Sequence, residues 1–175
     1  MMEHLWATWR SNYVTGVSDS RTTPTPEDAE GRSLFERILL APGDDRDKHI
    51  VVRGPHTFVI LNRFPYTVGH LMVLPLRAVA DLEELSPEEH AELWATVTQA
   101  VAALKAGLRC EGVNVGLNLG APAGGSQSDH LHVHCVPRWS GDANFISVAA
   151  ETRVLPLSLD EVWETLVAAW DAGRR

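Results

Sequence analysis

The chain has 175 residues, of which 45% are hydrophobic and 22% charged, and its formal net charge is −8. This length and composition are typical of one globular domain, with or without an arm, that buries a core without disulfide or metal cross-links. The acidic charge argues against nonspecific binding to nucleic acid or anionic membranes, and neither a membrane-spanning apolar run nor a secretory signal is apparent.

The N-terminal region is predicted to contain two helices joined by an arm. Apolar residues recur at helical spacing within residues 3–13, which indicates a short amphipathic helix. Residues 14–32 are rich in Thr, Ser, Pro, Asp and Gly and predict a flexible arm. A second helix, capped by a serine, covers residues 33–40. We therefore divide the chain into an N-terminal helix and arm, 1–32, and a main domain, 33–175.

Strands and two longer helices follow. Ser86 and Glu89 form a predicted capping box, and the helix that they begin is expected to end at Gly107. Ser158 and Glu161 predict a similar start for a C-terminal helix. The predicted strands are 49–53, 57–63, 69–74, 112–118 and 130–137, with a candidate last strand at 144–148. The expected fold class is α+β: an antiparallel sheet of about five strands with one long helix and a C-terminal helix.

The two cysteines, Cys110 and Cys135, are not spaced as a CxxC pair. This spacing argues against a disulfide framework and predicts a reducing, cytoplasmic location. We expect both thiols to be unpaired, with Cys135 on the core face of its strand.

Three of the eight histidines, His130, His132 and His134, alternate with apolar residues. Because side chains alternate along a strand, the three imidazoles are expected to share one face and to form a surface rather than a core. Three interpretations follow: a half-buried strand that happens to contain histidine, a metal site, or nucleophilic and acid–base catalysis. A metal site is geometrically difficult, because neighbours on one strand face are about 6.6 Å apart and the outer pair about 13 Å apart.

The segment 130–136, HLHVHCV, resembles the histidine-triad signature, in which three histidines alternate with apolar residues and two apolar residues follow. Over nearly the whole chain the sequence is similar to the bacterial diadenosine tetraphosphate phosphorylases of that family. This resemblance implies a histidine-triad fold. It is carried by Leu5-Trp6, Asn12-Tyr13, 61–63 (LNR), Pro65-Tyr66, 69–73 (GHLMV), 115–120 (VGLNLG), 124–126 (GGS) and 138–146 (RWSGDANFI).

The resemblance implies a role for each histidine. His132 would attack the α-phosphorus and form a nucleotidyl-histidine intermediate, while its other ring nitrogen donates to a backbone carbonyl near His130. His134 would contact phosphate oxygens, and His130 would hold the network of the site. His70 matches a further histidine of the family and is assigned to substrate binding, with a structural role as the alternative.

The loop Gly124-Gly125-Ser126 would supply backbone and hydroxyl donors to a phosphate. Many triad hydrolases have Gly-Gln-Ser/Thr at this loop. The order of residues in this chain is different and fits the phosphorylases better. Asn62 would bind a ribose hydroxyl, and Asn118 would reach the phosphate chain. The residues with two open interpretations are Ile60 and Met72, which flank the base or pack in the core, and Arg138, which binds substrate or is a surface charge.

The implied function is phosphorolysis of diadenosine tetraphosphate to ATP and ADP through the nucleotidyl-histidine. The alternatives are a triad hydrolase that uses water on dinucleoside polyphosphates or nucleoside phosphoramidates, and a noncatalytic nucleotide-binding protein. The expected partners are a nucleotide and inorganic phosphate, with no nucleic acid and no membrane. No metal site and no required cofactor are expected, and any Mg²⁺ would arrive with the substrate. The resemblance, together with six tryptophans, also predicts a homodimer or a homotetramer built from dimers.

Overall fold

A computed structural model of the chain describes residues 31–124, 127–142 and 155–174. The predicted N-terminal helix and nearly all of the arm, Gly125, Ser126 and the candidate strand at 144–148 lie outside these ranges, so the division at residue 32 stays a prediction. In chain order the helices and strands are α1 (Leu34–Leu40), β1 (Ile50–Arg53), β2 (Thr57–Leu61), β3 (Leu71–Pro75), α2 (Pro87–Leu108), β4 (Gly112–Gly116), β5 (Val133–Arg138) and α3 (Leu159–Gly173).

The five strands form one antiparallel sheet in the order β1-β2-β3-β5-β4. This architecture confirms the predicted α+β class, with one long helix and a C-terminal helix. Because β5 lies between β3 and β4, the histidine segment runs through the interior of the sheet rather than along its edge.

Both faces of the central strands are covered, and all five residues of β2 and of β3 are therefore buried. On one face, alternate strand residues such as Val59, Val73 and Cys135 pack in the main core against α2 and α3. On the other face, Phe35 of α1 closes a smaller apolar cluster. The remaining buried members of this smaller cluster are Ile50, Phe58, Ile60, Met72 and Leu74.

The three α-helices of the described residues each begin with a complete capping box, which was predicted for α2 and α3, whereas for α1 only a serine cap was predicted. The serine side chain accepts from the backbone of the third helical residue, and that residue, a glutamate, accepts from the serine backbone. The pairs are Ser33 with Glu36, Ser86 with Glu89, and Ser158 with Glu161. No helix in the part of the chain that the structure describes is long and apolar enough to cross a membrane.

The predicted end of α2 at Gly107 is wrong, because the helix continues to Leu108 and is capped by Arg109 in the left-handed conformation. Gly107 instead lies in close contact with α3. A Cβ at this position would lie 3.1 Å from Cβ of Ala169. A glycine inside a helix can thus record close helix packing rather than a helix end.

The predicted strand at 130–137 is shorter than expected, since regular pairing begins at Val133. The ladder between β3 and β5 ends as the chain reaches Pro75, which has no backbone N–H to extend it. Leu131 donates its backbone N–H to the Val79 carbonyl instead, at 2.6 Å. The chain therefore lies outside the ladder at His130 and His132, whereas His134 is paired within it.

Both cysteines are buried free thiols, as predicted. Cys135 is fully buried in the main core, and burial raises the pKa of its thiol to about 12. This thiol lies on the opposite side of β5 from His134 and is chemically silent near neutral pH.

Candidate active site

His132, the middle histidine, is held in one tautomer by the backbone beside it. Its Nδ1 lies 2.8 Å from the carbonyl oxygen of His130. A carbonyl oxygen only accepts, so Nδ1 carries the proton, and Nε2 of the neutral ring carries the lone pair. The hydrogen bond that the resemblance implied is therefore present, and it leaves the lone pair of the ring on Nε2.

His130 is fully buried, and both of its ring nitrogens have partners. Nε2 donates to the Pro75 carbonyl at 2.9 Å, and Nδ1 lies 2.6 Å from Oγ of Ser33. Since Nε2 donates, Nδ1 of the neutral ring accepts from the Ser33 hydroxyl. Burial, as the largest cause, lowers the pKa of His130, so the ring is neutral at pH 7.

The expectation that the three imidazoles form a surface is wrong. His130 has no exposed area, and His132 is only 7% exposed. The rings can be buried because the backbone of β3 and the first turn of α1 supply hydrogen-bond partners that the pattern of one strand cannot reveal.

His134, the third histidine, is half-buried and belongs to a directed chain of hydrogen bonds. The backbone N–H of Tyr66 donates to Nδ1 of His70 at 3.2 Å. The proton of neutral His70 therefore lies on Nε2, which donates to Nδ1 of His134 at 2.9 Å. Nε2–H of His134 is then left as a donor. Burial, followed by the charge of His132, lowers the pKa of His134 to about 4 and keeps this ring neutral.

Aromatic rings line both sides of the histidines. The Phe35 ring lies 5.4 Å from that of His130 and 5.7 Å from that of His132, between ring centroids. Tyr66 covers the other side, 4.5 Å from the ring of His70. These contacts fix the ring planes and lower the local polarity around the imidazoles.

His70 is placed by the glycine that precedes it. Gly69 has φ of +79°, a conformation that side chains disfavour, and a Cβ here would lie 2.2 Å from Cδ1 of Leu108. The Gly-His pair thus turns the chain tightly over α2 and delivers a buried imidazole to the start of β3.

A row of paired residues crosses the sheet on the histidine face. Ile60 pairs with Met72, and Met72 pairs with His134. Ile60 and Met72 are 4% and 6% exposed and pack with Phe35, so in this structure they belong to the core beside the histidines. On the far side of His134 the paired residue is Gly116, and apart from its own chain neighbours no atom of the described residues lies within 4 Å of the position of a Cβ there. This glycine leaves open space next to His134.

Two other predicted binding residues, Asn62 and Arg138, already form hydrogen bonds within the protein. Asn62 donates to Nδ1 of His70 at 3.3 Å and accepts from the Phe64 backbone, which ties it to the histidines. Arg138 forms a two-pronged ion pair with Asp142, at 2.6 and 2.8 Å, and also donates to Asn114.

Asn118 and Gly124 occupy the loop that follows β4. Asn118 is half-buried, and Gly124 is exposed with φ of +99° after a short 3-10 helix, Ala121–Ala123. The structure does not bring these two residues into a hydrogen bond with the histidines among the contacts it describes.

Several contributors to the site were missed at the level of sequence. Ser33 was recognised only as a helix cap, Phe35 only as a helix residue, and no role was predicted for Pro75 or Gly116. The serine carried a local signal, the capping box, but nothing in that signal points to a histidine 97 residues away.

The model of the HIT domain family matches residues 44–141. The chain belongs to the HIT domain family. The AP-4-A phosphorylase of Mycobacterium tuberculosis is 40% identical to it over 97% of the chain and 85% of that protein. The nitrilase and fragile histidine triad fusion protein NitFhit of Caenorhabditis elegans is 34% identical over 81% of the chain, which corresponds to 30% of the fusion protein.

A solved structure gives the same fold. The crystal structure of a zinc-bound histidine triad family protein from Mycobacterium smegmatis superposes with a TM-score of 0.67 and 28% identity, and the match covers 81% of this chain and 95% of that one. Within residues 31–124, 127–142 and 155–174 of this chain, no group of three or more His, Cys, Asp or Glu side chains is arranged to hold a metal ion.

Proposed function

We propose that this HIT protein is a nucleotidyltransferase that cleaves diadenosine tetraphosphate by phosphorolysis to ATP and ADP. The observation that carries the proposal is the fixed tautomer of His132, whose Nδ1–H is held by the His130 carbonyl so that Nε2 is the nucleophile. The 40% identity to the AP-4-A phosphorylase over 97% of the chain supports the choice of substrate and reaction.

In the first step, Nε2 of His132 attacks the α-phosphorus of the substrate. The P–N bond forms while the bond from that phosphorus to the bridging oxygen breaks, and ATP leaves with the electron pair. The imidazole becomes positively charged as the bond forms. The His130 carbonyl faces Nδ1–H and stabilises this charge, and the low polarity of the buried site strengthens the interaction.

His134 is assigned to the phosphate oxygens. The chain from Tyr66 through His70 holds its Nδ1 as an acceptor, so its Nε2–H is available to donate to an oxygen that gains negative charge. We assign the open space beside Gly116 to the polyphosphate chain and the 124–126 loop to additional phosphate donors.

In the second step, inorganic phosphate attacks the adenylyl group on His132. An oxygen–phosphorus bond forms, the P–N bond breaks, and the products are ADP and free His132. The same Nδ1–H···O=C hydrogen bond keeps the departing imidazole protonated at Nδ1. The electron pair of the broken P–N bond stays on Nε2, and the leaving group is the neutral ring.

We further propose a homodimer or a homotetramer built from dimers, in the cytoplasm. The exposed edge strand β4, where Val115 is 44% exposed, supports an association surface. The zinc named for the Mycobacterium smegmatis protein finds no matching ligand group among the described residues, and no step of this proposal uses a metal. Any Mg²⁺ is assigned to the substrate. Light scattering tests the assembly, because a mass of 19.2 kDa would contradict it.

The acceptor decides between phosphorolysis and hydrolysis. Purified protein is incubated with diadenosine tetraphosphate, with and without inorganic phosphate, and the adenine nucleotides are separated. We expect repeated turnover to ATP and ADP only when phosphate is present, and without phosphate at most one ATP per chain from the first step. Production of AMP at an equal rate without phosphate would instead identify a hydrolase that uses water.

A further inference from the structure

The hydroxyl of Ser33 takes part in two hydrogen bonds that belong to different parts of the molecule. It accepts from the backbone N–H of Glu36 at 3.1 Å and so caps α1. It also donates to Nδ1 of His130 at 2.6 Å. Ser33 is 3% exposed and His130 is fully buried, so water does not compete for this bond.

The other two capping boxes show that the second bond is not a property of a cap. Ser86 caps α2 and Ser158 caps α3 with the same pair of backbone bonds. Neither of those hydroxyls is hydrogen-bonded to a histidine among the contacts of the described residues. The bond to His130 therefore comes from where α1 lies, against the start of the histidine segment.

The first turn of α1 is itself fixed against the strand that holds the other side of His130. One carboxylate oxygen of Glu36 accepts from the backbone of Ser33, and the other accepts from the backbone of Ala78, each at 3.0 Å. The Ala78 hydrogen bond is the largest cause that lowers the pKa of Glu36, which is ionised at pH 7. Ala78 follows β3, whose last residue, Pro75, accepts from Nε2 of His130.

We infer that Ser33 is a positioning residue for the nucleophile: its hydroxyl fixes the ring of His130, and the backbone carbonyl of His130 fixes the Nδ1–H tautomer of His132. The inference rests on the proposed function, because it concerns the same adenylyl transfer. Because Ser33 is 3% exposed and its hydroxyl is bonded to His130 and Glu36, we assign it no contact with substrate. It acts through His130 alone. The ring of His130 bonds to Ser33, and the backbone carbonyl of the same residue accepts from His132.

Loss of the hydroxyl leaves a buried lone pair on Nδ1 of His130 without its donor. The ring can then recover a partner only by moving, by taking up a second proton, or by admitting water. The charged and titratable groups that face it are Glu36, Asp129 and His132. A ring that Ser33 no longer fixes lets the His130 carbonyl move relative to His132, and misplacement of about 1 Å at a catalytic group can cost about a hundredfold in rate.

The test compares two serines that both cap a helix, of which only Ser33 is also hydrogen-bonded to a histidine. Ser33→Gly is the main variant, because glycine at an N-cap costs only a few tenths of a kcal/mol relative to serine, whereas alanine costs about 1 kcal/mol. Ser33→Ala is the second variant, and Ser158→Gly and Ser158→Ala are the matched controls on α3. Rapid-quench single turnover measures adenylyl transfer to His132, and thermal unfolding measures the loss of each cap.

We expect both Ser33 variants to lose roughly tenfold in the single-turnover rate at saturating substrate, with KM changed by less than about twofold. The Ser158 variants should lose less thermal stability, because they lose a helix cap but no buried hydrogen bond to a histidine, and they should keep the wild-type rate. If Ser33→Gly transfers adenylate as fast as the wild type, Ser33 is only a helix cap and the inference is wrong.

A second measurement needs no substrate and separates this inference from the proposed function. Hydrogen exchange of Nδ1–H of His132, followed by NMR of the ring nitrogens, should be at least about tenfold faster in Ser33→Gly than in the wild type or Ser158→Gly. An unchanged exchange rate would overturn the inference. If the wild type does not use phosphate, the proposed function fails, and the exchange measurement still decides the role of Ser33.

Discussion

The two outer histidines are built into the protein in opposite ways. His130 is fully buried, and its ring bonds to a helix cap on one side and a strand carbonyl on the other. His134 is half-buried, its Nδ1 accepts from His70, and its far side faces the open space beside Gly116. In the proposed mechanism, the first end provides rigidity and the second provides access to substrate.

This difference explains how a nucleophile between them can be both fixed and reactive. The rigid end acts on the tautomer of His132, through a backbone carbonyl that cannot titrate. The open end offers a neutral ring whose proton can face phosphate oxygens. If all three imidazoles had the same surroundings, one could not fix the tautomer of His132 while another offers its proton to phosphate.

The largest expected effect is at the residue between the two ends. His132→Ala should lower turnover of diadenosine tetraphosphate by at least about a thousandfold, because the nucleophile is lost. Intact-mass measurement of the wild type without phosphate should show one adenylate per chain, and the variant should show none. A variant that retains near wild-type turnover would exclude the covalent route through this residue.

Replacing each outer histidine separates stability from chemistry. His134→Ala should lower the rate about a hundredfold, as expected for loss of a positioned donor, and should lower the unfolding free energy less than His130→Ala does, because His134 is half-buried and only Nε2–H of His70 loses its acceptor. His130→Ala should cost about 2–4 kcal/mol in unfolding free energy, because it leaves a cavity and unpaired groups at Ser33 and Pro75. Denaturant unfolding and steady-state kinetics measure the two effects. Equal losses of unfolding free energy in both variants would contradict the assignment of a mainly structural role to His130 and a mainly chemical role to His134.

The pH dependence of stability should follow the buried neutral histidines. The pKa of His134 falls from 6.5 to about 4 on folding, so between these pH values the unfolded chain binds a proton that the folded chain does not. Unfolding free energy should therefore fall as pH drops through this window, by roughly 1 kcal/mol after allowance for partial exposure.

Thermal unfolding between pH 7 and pH 4.5 measures this effect, which corresponds to a Tm change of about 2–4 °C. His134→Asn should flatten the dependence. His90→Asn, at an exposed position of α2, is the matched control and should not change it. An equal slope for wild type and His134→Asn would show that His134 does not titrate in this window.

The smallest effect on chemistry is expected at Cys135, on the face of β5 opposite His134. Cys135→Ser places a hydroxyl in the main core and should lower unfolding free energy by about 1–3 kcal/mol. The rate of adenylyl transfer, measured well below the melting temperature, should stay at the wild-type level. A loss of the chemistry itself would mean that this side chain reaches the histidine face, against the alternation of β5.

Much of this architecture could be predicted because its causes are local. The capping boxes of all three helices depend on residues three apart, and the burial of Cys135 follows from strand alternation. The motif 130–136 and its resemblance to the histidine-triad family indicated His132 as the nucleophile. Its bond to the His130 carbonyl could also be expected, since the two residues are neighbours in the chain.

The environment of the histidines depended on residues that are distant in the chain. Ser33 meets His130 across 97 residues, and His70 meets His134 across 64. The alternating pattern predicted a polar surface, because sequence spacing reveals which side chains share a face but not what covers that face. Likewise, Gly107 was expected to end α2, because close packing against a helix far along the chain leaves no local signal.

The sequence by itself determined the main helices and strands and the fold class, since periodicity and caps act over short distances, and the resemblance of its seven-residue motif to the family led to the proposal of His132 as the nucleophile. Only the tertiary structure decided the protonation pattern of the site. Which ring nitrogen of His130, His70 or His134 carries its proton depends on the partner that faces it. Those partners, a helix cap, a strand carbonyl and a turn backbone, are brought together by the packing of α1 and β3 around β5.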